Sequence, residues 1–260
     1  MQLNYKEFGQ GKPLIILHGL FGTLDNWVTL GKKLAEHFSV FIIDQRNHGR
    51  SPHTDVHDYP SMAEDIREFM EQHWMYEGAY VMGHSMGGKT AMQLALTYPE
   101  LVKKLVVVDI APKRYEGNHE LIFQALLNLH PETLEERSDA DEKLARYIPQ
   151  KSIRQFLMKN LTRRAEGGFE FKMNLPVIYE HYDDILDEIE ADQPYEGPAL
   201  FVKGGNSNYI LPEDEPAIKA LFPKAEIKTV PNAGHWVHAE QPKALLEVLR
   251  KFLLGEKLKI

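Results

Sequence analysis

The sequence predicts an α/β fold with a mostly parallel sheet flanked by helices, interrupted by an inserted helical cap. Two observations carry this. Short, almost continuously apolar runs alternate with amphipathic helical patterns along most of the chain, as strands covered on both faces require. One long charged interval then breaks that alternation. The strand candidates are Leu14–Leu17, Val40–Ile43, Ala79–Met82, Lys104–Val108, Ala199–Val202 and Ile227–Val230, each closed by a Gly-rich or polar turn. The helical candidates between them are Trp27–Phe38, Ser61–Met75, Met86–Tyr98, Glu215–Leu221 and Pro242–Leu254. From about Lys113 to Gln193 the pattern reads as almost wholly helical, as in Glu132–Arg146 and Ser152–Arg164, with Pro112 and Pro194 near its ends. The expected organisation is a core formed by residues 1–112 and 196–260, with residues 113–195 as the cap.

The chain has 260 residues, 43% apolar and 26% charged, the balance of a globular protein with a sizeable core. The formal net charge is −8 and no extended basic run occurs, so the reading excludes a nucleic-acid partner and disfavours a polyanionic substrate. With no cysteine, a disulfide, a thiolate metal site and a cysteine nucleophile are excluded. The first residues lack the basic start and apolar stretch of a signal peptide, and no run has the length of a membrane span. A cytoplasmic location without membrane association is therefore expected. The oligomeric state is not legible.

The chemistry centres on Gly83-His84-Ser85-Met86-Gly87. This is G-x-S-x-G, in which a sharp strand-to-helix turn presents a serine nucleophile. The pattern alone arises by chance in roughly one chain of this length in ten, so context must decide. Ala79–Met82 reads as the strand before it and Thr90–Leu96 as the helix after it. The same residues also spell a phosphate-binding loop, because Gly83 to Thr90 reads G-H-S-M-G-G-K-T and Asp109 ends a following apolar strand.

Three demands of a serine hydrolase separate the readings. An oxyanion hole needs two backbone N–H groups. Met86, after the nucleophile, supplies one, and Leu20, in His18-Gly19-Leu20-Phe21-Gly22, is the candidate for the other. A general base from a late loop is met by His235 in Gly234-His235-Trp236. The chain order Ser, acid, His is met by Ser85, Asp109 and His235. A nucleotide-binding loop accounts for neither the first glycine loop nor the last histidine loop.

On these residues, with Asp44-Gln45-Arg46-Asn47-His48-Gly49-Arg50-Ser51 and Asp109-Ile110-Ala111-Pro112, the chain resembles the α/β-hydrolase fold carboxylesterases of the YbfF type and their mitochondrial relatives. The cap segment Phe171-Lys172-Met173-Asn174-Leu175 also looks like that family's. The resemblance implies a serine carboxylesterase working through an acyl-enzyme, with no metal and no organic cofactor. It also implies an acid after the strand Ala199–Val202, but Lys203 to Tyr209 holds no carboxylate, and Ser207 stands at the expected place. Asp109 is the preferred acid over Glu213 and Asp214; its alternative role is to cap a turn before Pro112.

His18 and His84 read as backbone-bonding residues at strand ends, and Arg46, His48 and Ser51 as parts of a turn centred on Gly49. His48, His53 and His57 lack a metal-ligand constellation. Lys89 reads as a surface or packing residue of the helix after Ser85. Phe21 and Trp236 are candidate lining residues of an apolar pocket, and bulky neighbours of the oxyanion loop suggest small acyl groups. A perhydrolase, a thioesterase, a C–C bond hydrolase and a ligand-binding receptor that retains the triad remain the alternatives.

Overall fold

The structure is a computed structural model that describes residues 1–255. The chain opens with β1 (Tyr5–Phe8) and β2 (Lys12–Leu17), followed by α1 (Val28–Leu34) and β3 (Phe38–Ile43). Next come α2 (Tyr59–Gln72), β4 (Ala79–His84), α3 (Met86–Thr97) and β5 (Val102–Val108). An inserted run follows, with α4 (Glu120–Leu127), α5 (Arg137–Ala145), α6 (Lys151–Met158), β6 (Leu161–Arg163), β7 (Phe169–Phe171), α7 (Leu175–Glu180) and α8 (Tyr182–Leu186). The chain then returns through β8 (Ala199–Gly204), α9 (Glu215–Leu221), β9 (Ala225–Val230), α10 (Val237–Glu240) and α11 (Pro242–Leu254).

Seven strands form one sheet in the order β1-β3-β2-β4-β5-β8-β9, parallel except where β1 runs against β3. Alternation across the pleat sends successive side chains into two cores. Ile15, Leu17, Val81, Leu105, Val107 and Phe201 join α2 and α3 on one face. Leu14, Ile16, Met82, Val106, Val108, Leu200 and Val202 meet α1 and α11 on the other. Both faces are covered, which is why these strands read as unbroken apolar runs. The helices follow ordinary local rules. The Asp58 side chain accepts from Ser61 N–H at 2.8 Å to cap α2, whose Met62, Ile66, Phe69 and Met70 are buried. Leu245, Leu249 and Leu253 line the buried stripe of α11, which ends on left-handed Gly255.

Two departures from the sequence reading have local causes. Strand β1 is an edge strand with mostly exposed residues, so Tyr5-Lys6-Glu7-Phe8 carries no apolar signal. Part of the stretch read as the helix Ser152–Arg164 is instead β6, which pairs with β7 through Leu161↔Phe171 and Arg163↔Phe169. Gly167 (φ 98°) and Gly168 (φ 72°) make that turn, and three-residue strands are too short to show a period.

The inserted run between β5 and β8 packs over the carboxyl ends of the strands. Asn160 Nδ2 donates to Phe21 O at 2.7 Å, beyond β2, and Asn174 N–H donates to Asn47 O at 2.8 Å, beyond β3. Its entry and exit are tied together, since Tyr115 N–H donates to Leu186 O and Ile189 N–H to Pro112 O, each at 2.9 Å. Among the described residues, no helix is long and apolar enough to cross a membrane.

The sharp reversal between β4 and α3 leaves no room at its glycines. A Cβ on Gly83 would lie 1.9 Å from Gly87 O, and one on Gly87 would lie 2.5 Å from His18 O. Both obstacles are backbone and cannot rotate away. Gly83→Ala is expected to destabilise the fold by about 3 kcal/mol or more, a fall of about 6–12 °C in Tm by calorimetry.

Candidate active site

Ser85 sits at the reversal with φ 52° and ψ −120°, a conformation that L-residues adopt only under constraint. Its N–H donates to Val108 O at 3.0 Å, and Lys89 N–H donates to Ser85 O at 3.1 Å, so strand β5 and helix α3 hold it from both sides. Its hydroxyl donates to His235 Nε2 at 3.1 Å. His235 Nδ1 faces Asp109 Oδ2 at 2.8 Å. A carboxylate only accepts, so Nδ1 carries the proton and Nε2 is the acceptor for Ser85. The three residues come from the ends of β4 and β5 and from the loop after β9.

Asp109 is fully buried and has φ 55°. Its Oδ1 accepts from Gly204 N–H at 2.9 Å, and Oδ2 also accepts from the Ser207 hydroxyl. Ser207, at the place where the resemblance implied an acid, thus touches the carboxylate that lies on β5 instead. Asp214 is elsewhere, paired with Lys113 at 2.8 Å and bonded to Leu211 N–H at 2.8 Å. Glu213 is exposed.

The loop after β2 carries Leu20 and Phe21, the latter at φ 59°. Two buried histidines brace it. His18 Nδ1–H donates to Gly19 O at 2.8 Å and its Nε2 accepts Gln45 N–H at 3.0 Å. His48 Nε2 accepts Phe21 N–H at 3.3 Å while its Nδ1–H donates to Arg46 O at 3.1 Å. Burial lowers the pKa of both and keeps them neutral, as each needs one donor and one acceptor nitrogen. The N–H groups of Leu20 and Met86 have no acceptor among the described residues. His84 Nε2–H donates to His235 O at 2.8 Å, fixing the loop behind the imidazole, and burial holds its pKa well below the ordinary histidine value.

The residues after β3 are bonded within the protein. Arg46 forms a buried two-point pair with Asp65 at 2.6 and 2.9 Å, and Asp44 accepts from Leu24 N–H at 2.8 Å. Ser51 donates to Asp44 O. His57 is buried, which drops its pKa to about 3, and His53 reaches Lys172 O at 2.9 Å. Among the described residues, no cluster of three potential metal ligands occurs.

A cavity of about 70 Å³ opens beside Ser85 and His235, lined by Leu20, Phe21, Phe156 and Trp236. A second, of about 50 Å³, shares Ser85 and Leu20 but runs toward Met86, Tyr115, Tyr182 and Tyr209. Sequence reasoning missed Tyr209, whose ring stacks on His235 with centroids 3.7 Å apart. Only its neighbour Ser207 offered a hint. It also missed His119, which lines both cavities from the inserted run.

Of the two roles read for Lys89, surface or packing, it takes the buried one, being 1% exposed. Its Nζ donates to Lys113 O at 2.9 Å, Leu186 O at 3.2 Å and Asp187 O, and stands over the Tyr115 ring at 4.9 Å. All three donors are engaged by the two ends of the inserted run. None is left for the phosphates that the literal loop motif would cradle.

A doubly covered parallel sheet, with a strained serine, a histidine and a carboxylate in line at its carboxyl edge, defines a hydrolase of the alpha/beta hydrolase class. The sequence matches the alpha/beta hydrolase fold family over residues 12–242, and the chain belongs to that family. Within it the chain is an esterase/lipase-type enzyme. It is 41% identical to the sn-1-specific diacylglycerol lipase ABHD11 of Xenopus laevis, over 94% of this chain and 80% of that protein. It is 35% identical to esterase YbfF of Escherichia coli, over 93% of this chain and 92% of the relative. A solved marine microorganism esterase superposes with a TM-score of 0.94 at 43% identity, covering 96% of this chain and 99% of that one.

Burial pulls the Lys89 pKa down to about 7 from its ordinary 10.5. The unfolded chain therefore binds more protons between those values, and stability rises with pH across that window. In urea titrations, wild type is expected to gain on Lys89→Met as pH rises from about 7 toward 10. The variant leaves three carbonyls without their donor, so limited proteolysis should cut it faster near residues 113–118 and 186–192.

Proposed function

We propose that the protein is a serine carboxylesterase acting on small carboxylic esters through an acyl-enzyme. The continuous line Ser85 Oγ, His235 Nε2, His235 Nδ1, Asp109 Oδ2, at 3.1 and 2.8 Å, carries this reading. Ser85 attacks the ester carbonyl as His235 takes its proton. Asp109 holds the imidazole tautomer and stabilises the imidazolium. The backbone N–H groups of Leu20 and Met86 receive the oxyanion. His235 then protonates the leaving alkoxide, and water, activated by the same imidazole, releases the acid from Ser85. This scheme uses no metal and no organic cofactor.

The leaving oxygen must lie beside the histidine that protonates it. The cavity lined by His235, Phe21 and Trp236 is therefore assigned to the alcohol, and the cavity beside Met86 to the acyl group. Both cavities are small, about 70 and 50 Å³, which supports short acyl chains. Residues 113–195 act in this reading as a cap over a core of residues 1–112 and 196–260. The cysteine-free composition supports a cytoplasmic location.

A fluorophosphonate probe is expected to give one stoichiometric adduct, mapped to Ser85 by peptide mass; no adduct on folded protein would remove the proposal. Asp109→Asn should lower kcat by about 10³- to 10⁴-fold in protein that remains folded, whereas Asp214→Asn should leave kcat near wild type. Nitrophenyl esters of C4 acids should turn over far faster than C16 esters; comparable rates would refute the short-acyl assignment.

A further inference from the structure

His119 belongs to the inserted run but stands where the two cavities meet, together with Ser85 and Leu20. Its Nδ1 lies 2.6 Å from the Tyr182 hydroxyl. That hydroxyl oxygen already accepts two backbone N–H groups, from Asn118 and His119, each at 3.3 Å. Its own proton has no other acceptor among the described residues, so Tyr182 donates to Nδ1. The neutral ring must then carry its proton on Nε2. Nε2 has no partner among the described residues, and it is not among the buried atoms sealed from solvent. Burial, and the nearby His235, push the His119 pKa down to about 4, so the ring stays neutral near pH 7. Phe21 and Phe123 pack around this segment; the Phe21 ring lies 6.0 Å from His119 and 5.1 Å from Phe123. The result is a fixed, uncharged donor in an apolar wall beside the serine.

We infer that His119 is a specificity-determining residue that donates Nε2–H to a second acceptor oxygen of the substrate, with Tyr182 as the positioning residue that holds the tautomer. The favoured substrates are esters carrying an ether, hydroxyl or carbonyl oxygen within a few bonds of the scissile carbonyl, rather than plain alkyl esters. A purely apolar substrate leaves that donor unpaired against a desolvated wall, which is costly. This inference rests on the esterase reading and adds the substrate class to it.

Two isosteric pairs test it: ethyl methoxyacetate against ethyl butyrate, and 2-methoxyethyl acetate against butyl acetate. In each pair one CH₂ is replaced by oxygen, on the acyl side or on the alcohol side. The ratio of kcat/KM within a pair, compared between wild type and His119→Phe, cancels intrinsic reactivity. For at least one pair the ratio should fall about fivefold in the variant, and the pair affected reports which cavity holds the acceptor. NMR of protein labelled with ¹⁵N in its histidine rings should show wild-type His119 neutral with the proton on Nε2, and a mixture of tautomers in Tyr182→Phe. Ratios unchanged in both pairs, or a proton on Nδ1 in wild type, would overturn the inference even if His119→Phe proves unstable. Wild type that takes up fluorophosphonate on Ser85 yet shows unchanged ratios sinks this inference alone; wild type that is not labelled sinks the esterase reading and this inference with it.

Discussion

The fully buried carboxylate of Asp109 is the constraint around which the site is arranged. A charge removed from water must be compensated by donors held in place. Here the donors come from Gly204 at the end of β8, from Ser207 just beyond it, and from His235 in the loop after β9. Together they tie the segment after β8 and the loop after β9 to the end of β5. The neighbouring backbone follows suit, since Asp109 N–H donates to Val202 O at 2.7 Å and Ser85 N–H to Val108 O at 3.0 Å. The orientation of the imidazole and the position of the serine thus depend on the pairing of the carboxyl ends of β4, β5 and β8 as well as on the loops.

Strain at the edge of the sheet is distributed rather than isolated. Phe21, Asn47, Ser85 and Asp109 all have positive φ, between 52° and 61°, and all four lie just beyond the carboxyl ends of sheet strands. Such conformations persist only where surrounding contacts over-determine them. Neutral histidines supply many of those contacts. His18, His48 and His84 each use one nitrogen as donor, and His18 and His48 use the other as acceptor, so burial that suppresses their charge also makes them suitable cross-braces.

One buried lysine links both ends of the inserted run to the helix that follows the nucleophile. Lys89 lies one helical turn after Ser85 and bonds carbonyls at both the entry and the exit of the run. The nucleophile helix and the roof over the cavities therefore share one clamp. This gives a physical use to a lysine whose sequence context imitates a nucleotide-binding loop.

By itself, the sequence determined the α/β class, six of the seven sheet strands, and Ser85, His235 and Asp109 as residues to be considered together. These are legible because they follow local rules: strands covered on both faces are continuously apolar, a strained elbow demands glycines, and chain order restricts which acid can serve. Strand β1 and the β6–β7 hairpin were not legible, because exposed or three-residue strands leave no period. Only the tertiary structure decided that Ser207 binds the carboxylate it stands in for, that Tyr209 stacks on His235, that Lys89 is buried, and that His119 reaches the cavities from a distant segment. Each of these depends on contacts across tens to more than a hundred residues, which no local pattern records.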